Sequence, residues 1–144
     1  MSTMRAARVT DYKKPYKIEE VDIPKPNENQ MLVKTGAAGF CHTGKFSLAN
    51  LLTFIDLMIR DGDFNSSLPI TGSHEPCGTV VEVGSAVKGF KKGDRIGTLP
   101  FQHPCSECPD CRAGTYIYCE KMEGAMGIST DGAFGEVFVI LISF

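Results

Sequence analysis

Four cysteines at positions 105, 108, 111 and 119 constrain this chain more than any other feature. The spacing Cys-x2-Cys-x2-Cys-x7-Cys puts four thiolates within fifteen residues. That is close enough to complete a tetrahedral shell around one zinc ion, with no position left open for a substrate. Pro104, Pro109 and Gly114 supply tight turns that can aim the sulfurs inward. Residues 104–120 hold too little apolar material to fold by packing, so a metal would have to hold them. The expectation is a structural zinc lobe. Four reduced cysteines in an exposed loop would instead leave thiols at metal spacing open to oxidation.

Outside the lobe, the chain reads as short strands punctuated by Gly and Pro. Residues 4–9, 16–23, 30–38, 79–84, 94–99 and 131–140 show alternation or dense β-formers. Pro24, Pro26, Asn27 and Asn29 mark a turn between two of them. Such a series predicts a mainly β fold with short helices, a barrel or a sandwich. One stretch differs: Leu48, Leu51, Leu52, Ile55, Met58 and Ile59 recur at helical spacing, which predicts a helix of about three turns packed on the β framework.

The length of 144 residues suits one domain. With 15 basic and 17 acidic residues, net charge −2, nothing points to nucleic acid or an anionic membrane. The N-terminus lacks the apolar core of a secretory signal, and no apolar run is long enough to span a bilayer. The expected location is the reducing cytoplasm, where six cysteines are not disulfides.

A second set of chemistry-bearing residues lies elsewhere. Cys41 offers a thiolate and His74 an imidazole nitrogen, the ligand types zinc prefers. Thr43 and Glu75 add a hydroxyl and a carboxylate beside them. Two ligands do not complete a zinc site. Cys77 is the nearest spare thiol; it is read as a buried packing residue, with a ligand role as the alternative.

Several motifs then occur in order: Gly39-Phe40-Cys41-His42-Thr43, His74-Glu75-x2-Gly78-x-Val80, Gly84 through Lys92-Gly93-Asp94-Arg95-Ile96-Gly97, the four cysteines, and Asp131-Gly132-Ala133-Phe134-Gly135-Glu136. Together, over about residues 5–139, they resemble the catalytic domain of the zinc-dependent medium-chain alcohol dehydrogenases, nearest the yeast and fungal type. The resemblance implies a GroES-like β-barrel. It implies that Cys41 and His74 are catalytic zinc ligands of the family's Cys2His set, with Glu75 behind the zinc as an outer partner or transient ligand. Thr43 would bond the substrate hydroxyl and start the proton relay. His42 would lie near the cofactor pyrophosphate, and Cys105, Cys108, Cys111 and Cys119 would hold a second, structural zinc. The implied reaction is hydride transfer between a small alcohol and NAD, with the aldehyde or ketone on the other side. Homo-oligomeric assembly is implied for the full-length family member. A polyol or aromatic alcohol dehydrogenase, or a non-catalytic zinc-binding module, are the rival readings.

Three departures from the family pattern bear on these expectations. No Gly-x-Gly-x-x-Gly occurs, so the nucleotide-binding domain of the family is expected to be missing, leaving a truncated chain with little activity by itself. The family's run Cys-His-Thr-Asp-Leu is interrupted, because Asp-Leu resumes only at Asp56-Leu57. Removing residues 44–55 restores it and shortens the gap between Cys41 and His74 from 32 residues to 20. Codons available to Gly44-Lys45-Phe46 and Ile55-Asp56 can spell splice-site-like ends, so an unspliced intron is the expected origin, and the helical spacing would then be accidental. Asp56 would support the zinc-bound histidine in the family, but the insert is expected to carry it away from Cys41.

Overall fold

The computed structural model describes residues 2–41, 44–46, 52–102, 104–122 and 124–142. In chain order the strands are β1 (Thr3–Val9), β2 (Lys17–Asp22), β3 (Gln30–Ala38), β4 (Gly44–Phe46) and β5 (Leu52–Phe54). Helix α1 (Ile55–Asp61) precedes β6 (Ile70–Thr71), β7 (Pro76–Val83), β8 (Arg95–Gly97) and β9 (Phe101–Gln102). Helix α2 (Pro109–Arg112), a 3-10 turn (Tyr116–Tyr118), β10 (Gly124–Ala125) and β11 (Val137–Leu141) follow.

Two antiparallel sheets carry the fold, one ordered β2-β1-β6 and one ordered β11-β3-β7-β8. Residues 134–136 stitch them together. Ala7 N donates to Phe134 O at 2.7 Å and Glu136 N to Arg5 O at 3.2 Å on one side, while Thr35 N donates to Glu136 O at 3.1 Å on the other. Met31, Val33, Val80, Met126, Ala133, Phe138 and Ile140 form the main core. Burying side chains of this size contributes about 1.5–3 kcal/mol each. In β3, Met31, Leu32 and Val33 are all buried, against the alternation of a flat strand, because the register against β7 shifts between Leu32 and Val33.

A smaller core, Val9, Ile59 and Ile70, packs α1 against β1 and β6. Here the structure corrects the helical reading of the 48–59 stretch. The helix starts only at Ile55, and β4 and β5 form a two-stranded hairpin before it, with Gly44 opposite Phe54. Leu48 and Leu51 lie outside the described residues. The apolar spacing ran across a strand-to-helix junction, so only its second half is helical. Asp56 in the first turn complements the helix dipole. Gly62 ends the helix with φ +93°, its N–H and that of Asp63 both returning to Met58 O at 3.0 Å.

Candidate metal centres

Two groups of metal-ligating side chains assemble among the described residues. In the first, donor atoms of Cys41, His74 and Glu75 all lie within 4.8 Å of one another. Cys41 follows the end of β3, and His74 and Glu75 stand just before β7, so the pairing of β3 with β7 brings the pieces together. Cys41 and His74 are buried, and Glu75 is exposed.

Asp56 organises this group. Its side chain is fully buried. Oδ2 accepts the Cys41 amide at 2.8 Å, Oδ1 accepts the Ser73 amide at 3.2 Å, and Oδ1 lies 3.8 Å from His74 Nδ1. The imidazole therefore turns Nδ1 toward Asp56 and Nε2 toward Glu75, whose Oε1 is 3.9 Å away. The expectation that the insert carries Asp56 away from the site is corrected. The hairpin returns the chain to its starting point, so Asp56 reaches both Cys41 and the histidine.

The loop before His74 is held from the other side. Thr71 N donates to Asp131 Oδ1 at 2.7 Å, Gly132 N to Thr71 O at 2.8 Å, and Phe134 N to Gly72 O at 3.0 Å. A side chain on Gly132 would overlap the carbonyl oxygens of Gly72 and Ser73. Ser73 itself adopts φ +74°, strained for a residue with a side chain. Asp131 and Gly132 open the last of the ordered motifs, at the entry to the final strand. Their task is to set the strand entry that presents His74.

Cys77 does not join this group. It lies on β7 and is exposed, which corrects the reading of a buried packing thiol. The strand alternates, so burying Pro76 turns its neighbour outward. His42 and Thr43 lie outside the described residues.

In the second group, Cys105, Cys108, Cys111 and Cys119 also bring their sulfurs within 4.8 Å of one another, as the spacing predicts. Backbone amides point at the sulfurs: Cys105 N to Cys119 Sγ at 3.2 Å, Cys108 N to Cys105 Sγ at 3.3 Å, and Cys111 N to Cys108 Sγ at 3.5 Å. Cys108 caps α2, Pro109 opens it, and Gly114 turns out of it with φ +78°. Amides of Glu107 and Cys108 bring the Cys105 thiol down to about 6, while burial and then hydrogen bonding to Cys108 and Cys119 push Cys111 up to about 12. Such a quartet ionises fully only around a cation. Tyr116, Ile117 and Tyr118 point outward, so the lobe gains little from packing. Both donor sets suit zinc: four thiolates in one, and thiolate, imidazole and carboxylate in the other.

Residues 27–142 match the profile of the alcohol dehydrogenase GroES-like domain. The chain belongs to that family. An NAD-dependent alcohol dehydrogenase from Sulfurisphaera tokodaii is 36% identical over 143 residues, covering 95% of this chain and 38% of its own length. The alcohol dehydrogenase of Aeropyrum pernix superposes with a TM-score of 0.79 at 32% identity, covering 95% of this chain and 37% of the other. A cobalt- and zinc-bound thermostable alcohol dehydrogenase from Pyrobaculum aerophilum gives 0.84 at 26% identity, over 97% and 40%. This GroES-like domain chain thus spans under half the length of the relatives it matches. Among its described residues no helix is long and apolar enough to cross a membrane.

Proposed function

We propose that this chain is the metal-holding part of a zinc-dependent alcohol dehydrogenase that exchanges hydride between a small primary or secondary alcohol and NAD. The observation that carries the reading is the buried Asp56 carboxylate, which ties the Cys41 amide to the loop of His74 and faces the imidazole. The names of the relatives support NAD and zinc as cofactors. In this reading Cys41 and His74 hold a catalytic zinc, with Glu75 as outer partner or transient ligand. Cys105, Cys108, Cys111 and Cys119 hold a structural zinc. The catalytic ion, when bound, lowers the pKa of an alcohol or polarises a carbonyl, and the nicotinamide carries the redox change.

The chain's own residues prepare that site. Asp56 faces Nδ1 of the imidazole at 3.8 Å, which leaves Nε2 as the atom turned toward the metal position. The burial of Cys41 and His74 keeps bulk water from competing for the same position. Thr43 would hydrogen-bond the substrate hydroxyl and start the proton relay, passing its own hydroxyl proton onward as it accepts the alcohol's, and His42 would lie near the cofactor pyrophosphate. Residues 1–144 are one GroES-like domain, with residues 44–55 an insert in it and 104–120 its zinc lobe. Cofactor binding calls for a nucleotide-binding domain, for which the greater length of the relatives has room. The whole enzyme is a cytoplasmic homo-oligomer.

Metal counting on reduced, folded protein tests the reading. Two zinc ions per chain, falling to one in Cys41→Ala, are expected. One zinc per chain, unchanged by Cys41→Ala, would overturn it in favour of a binding module built on the lobe alone.

A further inference from the structure

We propose that Gly39 is a positioning residue for Glu75: the space left by its missing side chain is where the Glu75 carboxylate lies, and that space decides whether the carboxylate stands with Cys41 and His74. The inference rests on the reading of those residues as a metal site. A Cβ on Gly39 would stand 2.7 Å from Glu75 Oε2 and 3.1 Å from Glu75 Cβ. Glycine is not required there by the backbone, since Gly39 is outside the positive-φ region that the turn glycines occupy. What it provides is room.

The backbone has little freedom to yield to a methyl group. Gly39 N donates to Glu75 O at 2.9 Å, and Ser73 Oγ donates to Gly39 O at 3.0 Å. The two residues before it, Ala37 and Ala38, are in register with Cys77 and Pro76. Gly39 and Glu75 therefore face each other at the last rung between β3 and β7, and these bonds resist a large retreat of either main chain. The Glu75 side chain can, because it is 50% exposed and has solvent to swing into. An added methyl displaces the carboxylate, the closer contact, while the 3.1 Å approach to Glu75 Cβ asks the strands to give by only a few tenths of an ångström. The donor group then shrinks from three side chains to Cys41 and His74.

Metal binding to the 144-residue chain tests this with zinc and cobalt as probes. The metal lost in Cys41→Ala defines the site. Gly39→Ala is expected to weaken zinc at that site about tenfold or more, to shift the ligand-field bands of cobalt there, and to leave the lobe metal unchanged. Glu75→Ala should do the same, and adding Gly39→Ala to it should change little further. Unaltered affinity and bands in Gly39→Ala would overturn the inference while leaving the metal site standing. So would a Gly39→Ala effect that persists in full without Glu75, since the glycine would then act on the strands alone. A parent chain with no Cys41-dependent metal would overturn the inference and the site reading together.

Discussion

Asp56 Oδ2 accepts the amide of Cys41 at 2.8 Å across fifteen positions of sequence, and the same carboxylate lies against His74. One buried side chain thus holds the ends of three segments: the exit of β3, the start of α1 and the loop into β7. Asp56→Ala would strand two buried amides. It is expected to destabilise the fold by about 3 kcal/mol, read by urea unfolding, and to weaken metal at the Cys41 site by about 10–100-fold. Asp56→Asn keeps one acceptor oxygen and should show a smaller loss of stability.

Two glycines give a matched comparison. Gly132→Ala places a methyl on the carbonyls that lead to His74, with no flexible side chain to move aside. A loss of about 1–3 kcal/mol is expected. At Gly97 an added Cβ meets its nearest atoms, Pro76 O and Cys77 Cβ, only at 3.9 and 4.0 Å, and Gly97→Ala should stay within about 0.5 kcal/mol of the parent. Equal midpoints for the two variants would remove the role given to residue 132.

The β4–β5 hairpin begins and ends at paired residues, Gly44 and Phe54, so its two ends are neighbours. Deleting residues 44–55 should therefore leave Asp56 able to reach Cys41. Both metals are expected to remain in the shortened chain, by elemental analysis. Loss of the Cys41-dependent metal on deletion would mean that the hairpin is part of the site rather than a detour from it.

Metal binding by the lobe should depend on pH with a definite sign. Ligand thiols must be deprotonated, so bound metal releases the protons that the empty quartet holds. Near neutral pH Cys105, at about 6, is already ionised, while Cys111, at about 12, still carries its proton. Affinity should therefore fall at least about tenfold for each unit that pH is lowered below neutral, and more steeply once pH passes below about 6 and Cys105 also takes a proton. Chelator competition between pH 5 and pH 8 would measure the slope. A flat profile would exclude thiolate ligation.

Glu136 links the start of the chain to its end. The Arg5 amide at 3.2 Å, together with the Arg5 guanidinium, holds the Glu136 carboxyl below its ordinary value. A carboxyl depressed on folding contributes stability that is present above its unfolded pKa and lost as pH falls through the folded one. Glu136→Gln should thus lower the melting temperature slightly at neutral pH and converge with the parent in acid.

The lobe could be read directly from the sequence because all four ligands sit in one short segment, where spacing already is geometry. Cys41 and His74 could be paired only through resemblance, since strand pairing, not spacing, brings them together. The place of Asp56 is hidden for a related reason: counting residues measures contour length, and a hairpin turns contour length into almost no displacement. The exposure of Cys77 is hidden because it depends on which face of β7 meets the core, and that register is set by β3. The interleaved loops at 71–73 and 131–134 left no periodic trace at all, for apart from the Asp131 carboxylate their bonds are between backbones.

The stitch at residues 134–136 has a consequence for how the protein is made. Thr35 Oγ1 donates to Gly135 O across 100 positions, and Arg5 reaches Glu136 across 131. During synthesis the two sheets can form early yet lack this stitch until the tripeptide clears the ribosome. Contacts so distant in sequence are slow to form, which makes sheet docking the natural late event, with β11 waiting on the same few residues for its place beside β3.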